Sequence, residues 1–158
     1  MDKIVYISGC WDLFHVGHLR VLKAAEALGD FLIVGVCTDD FALSYKRRPV
    51  IPYEQRAEIV SALGFVDMVL ARDSVDDIEC AKKWKVNVRA IGPQYGSQMA
   101  GQQEFLEWAR NNGVDVVTIP RTPDISTTII REVIREGKTV SDNVCGRSGG
   151  DCGGSVVE

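Results

Sequence analysis

Short apolar runs alternate with amphipathic segments along most of this chain, and the alternation restricts its possible folds more than any other feature. The runs are rich in β-branched residues and apolar throughout, which is typical of strands buried on both faces. They cover residues 3–8, 31–36, 66–70, 86–91 and 114–119. Strands of this kind separated by helices predict an α/β fold: a Rossmann-like, doubly wound, five-stranded parallel sheet with helices on both faces.

Helical spacing and end signals predict a helix after each strand. Val21, Leu22, Ala25 and Leu28 share one face of the first helix, and Gly29 can end it. In the third helix, Ser74 followed by Asp77 resembles a capping box. The five predicted helices cover residues 18–28, 52–64, 74–84, 101–113 and 126–137.

The chain of 158 residues is long enough for one domain, which we predict over residues 1–137. Residues 138–158 are rich in glycine and without periodicity, so they are predicted to form a flexible C-terminal tail. Cys145 and Cys152 in this tail could pair or bind a metal, although their spacing fits no common ligand pattern. An odd total of five cysteines, with no signal-peptide pattern at the N-terminus, predicts a cytoplasmic protein with reduced thiols.

The charge balance and hydropathy exclude two classes of partner. A formal net charge of −4 does not favour binding to a nucleic-acid backbone. No apolar run reaches the ~20 residues that a membrane span needs, so no membrane insertion is expected. Any anion that the chain binds must therefore be met by a local cluster of positive groups.

Polar residues are concentrated directly after the predicted strands, at the edge where open parallel sheets bind ligands. The first strand leads to Asp12, His15 and His18, which include both histidines of the chain. Later strands lead to "TDD" and the basic "YKRRP", to "GPQYG", and to "RTPDISTT". We expect these segments to form one site suited to a phosphate-rich ligand.

Two common phosphate-binding motifs are absent, since the first turn has neither G-x-G-x-x-G nor a Walker-type sequence. The histidines then allow three interpretations. They could be capping or core residues, or they could bind zinc together with Cys10. In the third interpretation the imidazoles and the following helix N-terminus face an anion whose charge grows during a reaction. Gly17 between them would let the substrate approach the backbone.

The segments "GCWDLFHVGH" and "RTPDISTTII" together resemble the HxGH nucleotidyltransferases, specifically their cytidylyltransferase branch, which includes the glycerol-3-phosphate and phosphoethanolamine enzymes. The similarity extends from about Lys3 to Gly137. It implies a Rossmann-like fold and an in-line attack by an acceptor phosphate on the α-phosphorus of a nucleoside triphosphate. Pyrophosphate would leave without a covalent enzyme intermediate.

The resemblance also implies roles for individual residues. His15, His18, Lys46 and Arg121 would be catalytic, and Asp12 would orient the site directly or through Mg²⁺. Ser126 and Thr127 would cap the last helix. The nucleotide would be bound by Gly9, Cys10, Trp11, Asp12, Gly17, Gly92, Arg121, Thr122, Ile125, Ser126 and Thr127. The acceptor would be bound by Asp12, Thr38, Asp39, Lys46, Arg47 and Arg56, although a surface ion pair is an alternative for Arg56.

The resemblance therefore favours a CTP-dependent transferase that acts on a phosphorylated small alcohol or polyol. Mg²⁺ would accompany the triphosphate without direct protein ligands, and the protein would form a homodimer. An ATP-dependent adenylyltransferase of the same fold, acting on a sugar phosphate or flavin mononucleotide, is the nearest alternative. A non-catalytic nucleotide-binding regulatory domain is an alternative of another class.

Overall fold

The computed structural model describes residues 2–93, 95 and 100–142, and five parallel strands form its single sheet. The strands are β1 (Ile4–Gly9), β2 (Phe31–Cys37), β3 (Met68–Arg72), β4 (Val88–Ile91) and β5 (Asp115–Thr118). Their order is β3-β2-β1-β4-β5, so β1 lies at the centre. The register pairs Ile4 with Phe31 on one side of β1, and Val5 with Val88 on the other.

Helices cover both faces of the sheet, as predicted. They are α1 (Val16–Glu26), α2 (Asp39–Tyr45), α3 (Tyr53–Ser61), α4 (Asp77–Trp84), α5 (Ala100–Asn111) and α6 (Thr127–Arg135). Val5 belongs to a core cluster with Leu22 of α1 and Val60 of α3. The next residue, Tyr6, packs on the other face with Phe105 of α5. Successive strand residues point to opposite faces, so both cores depend on strands that are apolar throughout.

Helix α2 was not predicted from the sequence. It is only seven residues long and has a polar surface, so its apolar spacing gives little signal. The start of the helix does have a sequence signal, because Thr38 is a typical N-cap residue: its hydroxyl accepts a hydrogen bond from the backbone N–H of Phe41 over 3.3 Å. Asp39 and Asp40 follow in the first turn, where the helix dipole favours negative charge.

The capping box predicted for Ser74 and Asp77 is wrong. The N-cap of α4 is Asp76, whose carboxylate accepts from the backbone N–H groups of Ile78 and Glu79 over 3.0 and 3.1 Å. Because Asp76 caps the helix, the side chain of Asp77 is free to form ion pairs with Arg72 and Arg89. It is 1% exposed and lies beneath the carboxyl edge of the sheet.

The predicted tail falls mostly outside the described residues, including Cys145 and Cys152. At its start, the Asp142 carboxylate accepts from the backbone N–H of Thr139 over 2.8 Å. The Thr139 hydroxyl accepts from the backbone N–H of Asp142 over 3.2 Å, which completes a reciprocal cap. Within the described part of the chain, no helix is long and apolar enough to cross a membrane.

Candidate active site

A cavity of about 580 Å³ opens at the carboxyl edge of the sheet. All of the residues predicted to bind the nucleotide line it, and so do His15, His18, Lys46 and Arg47. Residues from the ends of strands that are distant in sequence therefore meet there, as the parallel topology requires. The volume is typical of a pocket for a small-molecule ligand.

The lining is strongly cationic even though the chain carries a net negative charge. Asp12 is the acidic lining residue among those that the structure describes. The basic lining residues are Lys46, Arg47, Arg72, Arg121 and Arg131. This is the local positive cluster that an anionic ligand requires in an acidic protein.

The turn between β1 and α1 has an unusual backbone. Trp11 and Leu13 have positive φ angles of 55° and 49°, which are uncommon for residues with large side chains. The Trp11 indole N–H donates to the Gly35 carbonyl over 2.9 Å and ties the turn to β2. A Cβ on Gly9 would lie 2.9 Å from the Trp11 ring, so glycine there makes room for the indole. The chain therefore holds a strained turn in place at the point where the histidines begin.

His15 is the N-cap of α1, and its Nδ1 accepts a hydrogen bond from the backbone N–H of Gly17 over 3.1 Å. This bond assigns the proton of the neutral ring to Nε2. The His18 ring stacks on the His15 ring with a centroid distance of 3.9 Å. A Cβ on Gly17 would lie 2.8 Å from the His15 ring and 3.2 Å from Ile125. The glycine thus leaves room for His15 and Ile125, and the close approach of a substrate to the backbone there stays a prediction.

Both imidazoles are neutral at physiological pH. Burial lowers the pKa of His18 to about 3, assisted by the neighbouring His15, and burial also lowers the pKa of His15. Neutral rings present N–H donors to an anion and avoid repulsion between two adjacent cations. The donor arrangement thus agrees with the interpretation in which the imidazoles face an anion whose charge grows during a reaction.

The zinc interpretation lacks a matching arrangement of ligands. Burial raises the pKa of the Cys10 thiol to about 11 in the metal-free protein. The sulfur also lies 3.9 Å from the Arg56 guanidinium, a cation that disfavours a metal ion. Among the described residues, no group of three histidine, cysteine or acidic side chains is arranged to hold a metal.

We expect the fold to lose stability when the pH falls below about 6.5, the ordinary pKa of histidine. The folded pKa of His18 is depressed, so the unfolded chain binds more protons and protonation favours unfolding. If the whole pKa shift of His18 affected stability, the free energy of unfolding would fall by ~2 kcal/mol between pH 7.5 and 5.0. Partial exposure of the ring reduces this loss to about 1 kcal/mol. Urea unfolding of the wild type at both pH values measures the loss.

A His18→Gln variant is the control, since its neutral side chain cannot take up a proton. The free energy of unfolding of this variant should fall less between pH 7.5 and 5.0 than that of the wild type. Equal losses in both proteins would show that another group is responsible. Buried carboxylates such as Asp12 contribute only at lower pH, because their pKa values lie below the ordinary value for aspartate.

Asp12 connects three segments of the site. Its carboxylate accepts from the backbone N–H groups of Val50 and Ile51 over 2.9–3.1 Å and from the Arg131 guanidinium over 2.5 Å. Burial alone would raise the pKa of Asp12, but these donors hold it below its usual range. The backbone carbonyl of Asp12 also accepts from the Thr127 hydroxyl over 3.0 Å. Asp12 thus ties the β1–α1 turn to the segment before α3 and to α6 through hydrogen bonds to chain atoms.

Thr38, Asp39 and Arg56, which were predicted to bind the acceptor, do not line the cavity. Arg56 is 1% exposed, so its ion pair with Asp39 is not the surface ion pair proposed as its alternative. Its guanidinium donates to the carbonyls of Cys10 and Ile51 and to Asp39, the last over 2.6 Å. These bonds fasten the β1–α1 turn to the segment before α3. Thr38 is occupied as the cap of α2.

The last helix begins at the cavity and supplies a residue that the sequence analysis missed. Ser126 caps α6 as predicted, accepting from the backbone N–H of Ile129 over 3.2 Å. Thr127 does not cap the helix, because its hydroxyl donates to Asp12. Arg131 lies one turn after Thr127 and donates to the carboxylate of the same residue, whereas Thr127 donates to its backbone carbonyl. The i,i+4 spacing puts Thr127 and Arg131 next to each other on one face of the helix, so the sequence could have predicted that Arg131 lies at the site.

Comparisons with known proteins agree with this geometry. A model of the family described as cytidylyltransferase-like matches residues 6–133. The chain belongs to the cytidylyltransferase-like family. It is 33% identical over 131 residues to the glycerol-3-phosphate cytidylyltransferase of Bacillus spizizenii, covering 82% of this chain and 95% of that one.

Two further proteins are similar to this chain, one in sequence and one in fold. The FAD synthase of Thermococcus kodakarensis is 38% identical over 120 residues, which cover 73% of this chain and 78% of the relative. The fold is shared with a lipopolysaccharide core biosynthesis protein from Thermoplasma volcanium, at a TM-score of 0.63 and 24% identity. That match covers 77% of this chain and 98% of the other. Relatives with different names therefore match this chain at comparable identity.

Proposed function

We propose that this protein transfers CMP from CTP to a phosphorylated small alcohol or polyol such as glycerol 3-phosphate, with release of pyrophosphate. The observation that carries the proposal is the stacked pair of neutral imidazoles at the centre of a cationic cavity. Membership of the cytidylyltransferase-like family supports it, as does the name of the Bacillus relative. An intact set of lining residues favours catalysis over a purely regulatory domain.

In the proposed reaction, a phosphate oxygen of the acceptor attacks the α-phosphorus of CTP. The new phosphorus–oxygen bond forms as the bond to the bridging oxygen breaks, and pyrophosphate leaves. The N–H donors of His15 and His18 would stabilise the charge that accumulates on the α-phosphate oxygens. Arg121 and the N-terminus of α6 would hold the leaving phosphates.

Mg²⁺ would enter with the triphosphate and neutralise part of its charge. Asp12 is the acidic lining residue described, and its carboxylate oxygens already accept three donors. We therefore propose that phosphate oxygens and water hold the ion in place of protein carboxylates. Homodimer formation remains a prediction of the family resemblance.

ATP is the main alternative to CTP, because FAD synthase is among the relatives at comparable identity. A site that reads a base by hydrogen bonds rejects the wrong base strongly, since its buried polar groups would be left unpaired. We therefore expect a clear preference for one nucleotide and not mixed use.

Equilibrium titration of the protein with CTP and with ATP, each with Mg²⁺, tests this preference without knowledge of the acceptor. CTP is expected to bind at least ~10-fold more tightly, a difference of ~1.4 kcal/mol. UTP is the matched control, because it shares the ring size and the triphosphate of CTP but not its donor pattern. Tighter binding of ATP would replace the cytidylyl proposal with adenylyl transfer.

A further inference from the structure

Arg72 is a buried cation at the cavity for which the proposed reaction has not yet supplied a role. It ends β3, is 8% exposed and lines the cavity. Its Nε and Nη2 atoms are buried and have no hydrogen-bond partner among the described residues. A buried polar group without a partner is costly, and such groups are retained where a ligand completes them.

The neighbours of Arg72 do not balance its charge. Asp77 lies 3.3 Å from Arg72 Nη2, within ion-pair distance but outside hydrogen-bond geometry. The same carboxylate accepts from Arg89, with Nη2 at 3.0 Å, and from the Tyr95 hydroxyl. Burial would raise the pKa of Asp77, but the two guanidinium groups hold it below its usual range. Two guanidinium groups and one carboxylate leave a net charge of +1 beside the cavity.

The strand order places the backbone of Arg72 far from that of the other cationic residues of the cavity. Arg121 follows β5 and Arg131 lies on α6, whereas Arg72 ends β3 at the opposite edge of the sheet. Four inter-strand spacings of ~4.8 Å put the ends of β3 and β5 about 19 Å apart. His15 and His18 follow β1, the central strand. The Arg72 guanidinium extends inward from the β3 edge, since it lies 3.3 Å from Asp77, whose carboxylate also binds Arg89 of β4. The cavity thus has one group of cations at β5 and α6 and a further cation that enters from β3.

We propose that Arg72 binds the phosphate of the acceptor substrate and selects acceptors that carry one. The inference rests on the proposed transfer reaction, with the triphosphate on the side of β5 and α6. A guanidinium offers a planar fork of donors that matches a phosphate, and its unpartnered Nε and Nη2 form such an edge. Arg72 would therefore take the acceptor role that the sequence suggested for Arg56, whose donors all serve the fold.

A purely structural Arg72 is the competing explanation, in which it serves only as a counter-ion for Asp77. The two explanations predict opposite effects of Arg72→Met on the ligand-free protein. Asp77 keeps Arg89 and Tyr95 as partners, so an acceptor-binding Arg72 can be replaced without lowering the melting temperature. If Arg72 is purely structural, the same substitution lowers the melting temperature.

The direct test is the NMR signal of the Arg72 Nε–H group during a titration with sulfate, a divalent anion that is a poor nucleophile. The signal is assigned by its loss in Arg72→Lys. It should shift in a saturable manner in the ligand-free protein and again in protein saturated with CTP. No response to sulfate would overturn the proposal, as would a response that disappears once CTP is bound, since Arg72 would then contact the nucleotide.

Steady-state kinetics supply the second readout. Arg72→Met should raise the KM for glycerol 3-phosphate at least ~10-fold and change the KM for CTP less than ~2-fold, with Arg72→Lys between the two. Arg110→Met, an exposed arginine near the end of α5, is the matched control and should change neither. An equal rise in both KM values, or a lowered melting temperature with unchanged KM values, contradicts the proposal. If the wild type transfers no nucleotide to any phosphorylated acceptor, the proposed function fails, while the sulfate titration still decides whether Arg72 binds the anion.

Discussion

A His18→Ala variant is expected to lose about 10²–10³-fold in turnover while its affinity for CTP changes much less. Loss of one positioned donor to developing charge typically has an effect of this size on rate. The effect falls on turnover because the contact strengthens in the transition state, so ground-state binding depends on it only weakly. Single-turnover measurements at saturating CTP, together with equilibrium titration of CTP, separate the two quantities.

His18→Gln and the melting temperature serve as controls for this experiment. Glutamine retains an N–H donor, so its turnover should lie between those of the wild type and of His18→Ala. His18 does not cap α1, since His15 does, so the fold should tolerate the substitution. Near-normal turnover of His18→Ala in a folded protein would refute the donor role and the proposed mechanism with it.

The largest loss of stability is expected for Asp77→Asn. The substitution preserves the volume of the side chain but leaves Arg72 and Arg89, both buried, without a counter-charge. Breaking a buried charge pair in this way typically destabilises a protein by about 3–5 kcal/mol. Domains of this size have a total stability of ~5–15 kcal/mol, so the loss would be a large fraction of the free energy of unfolding. Urea unfolding of the variant and of the wild type measures the difference in their free energies of unfolding.

Asp40→Asn is the matched control, because Asp40 belongs to an exposed ion pair with Arg48 at 3.8 Å. Exposed pairs contribute little, so its free energy of unfolding should be unchanged within error. Combining Asp77→Asn with Arg72→Met removes one of the two uncompensated cations and should recover part of the loss. If the double variant is no more stable than Asp77→Asn, charge is not the source of the destabilisation.

Most of the fold could be predicted because its signals are local and repeated. Strands buried on both faces are apolar throughout, and each is short enough to be bounded by polar segments. Helix α2 was missed because a seven-residue helix offers too few apolar positions to show a period. The start of α4 was misplaced because Ser74 and Asp76 are both good caps, and only the buried partners of Asp77 distinguish them.

The part of the cavity lined by the β1–α1 turn and the start of α6 was also predictable, since the histidines and "RTPDISTT" are carried by short motifs. The positions of Arg56 and Arg72 were not, because they depend on contacts between distant segments. Arg56 has the residue type expected of an anion-binding group, yet its donors are satisfied by Cys10, Ile51 and Asp39. Arg72 was overlooked although a charged residue at the end of the apolar "MVLAR" strand is a usable signal.

The hydrogen bonds of Asp12 have a consequence for how the protein is made. Thr127 and Arg131, which contact Asp12, follow it by 115 and 119 residues. The segment with both histidines leaves the ribosome early, but the Asp12 carbonyl and carboxylate acquire these two partners only after nearly the whole domain has emerged. Domains generally fold as units during synthesis. The nascent chain thus carries an incomplete cavity until translation passes α6, and competence to bind a ligand arrives in one late step.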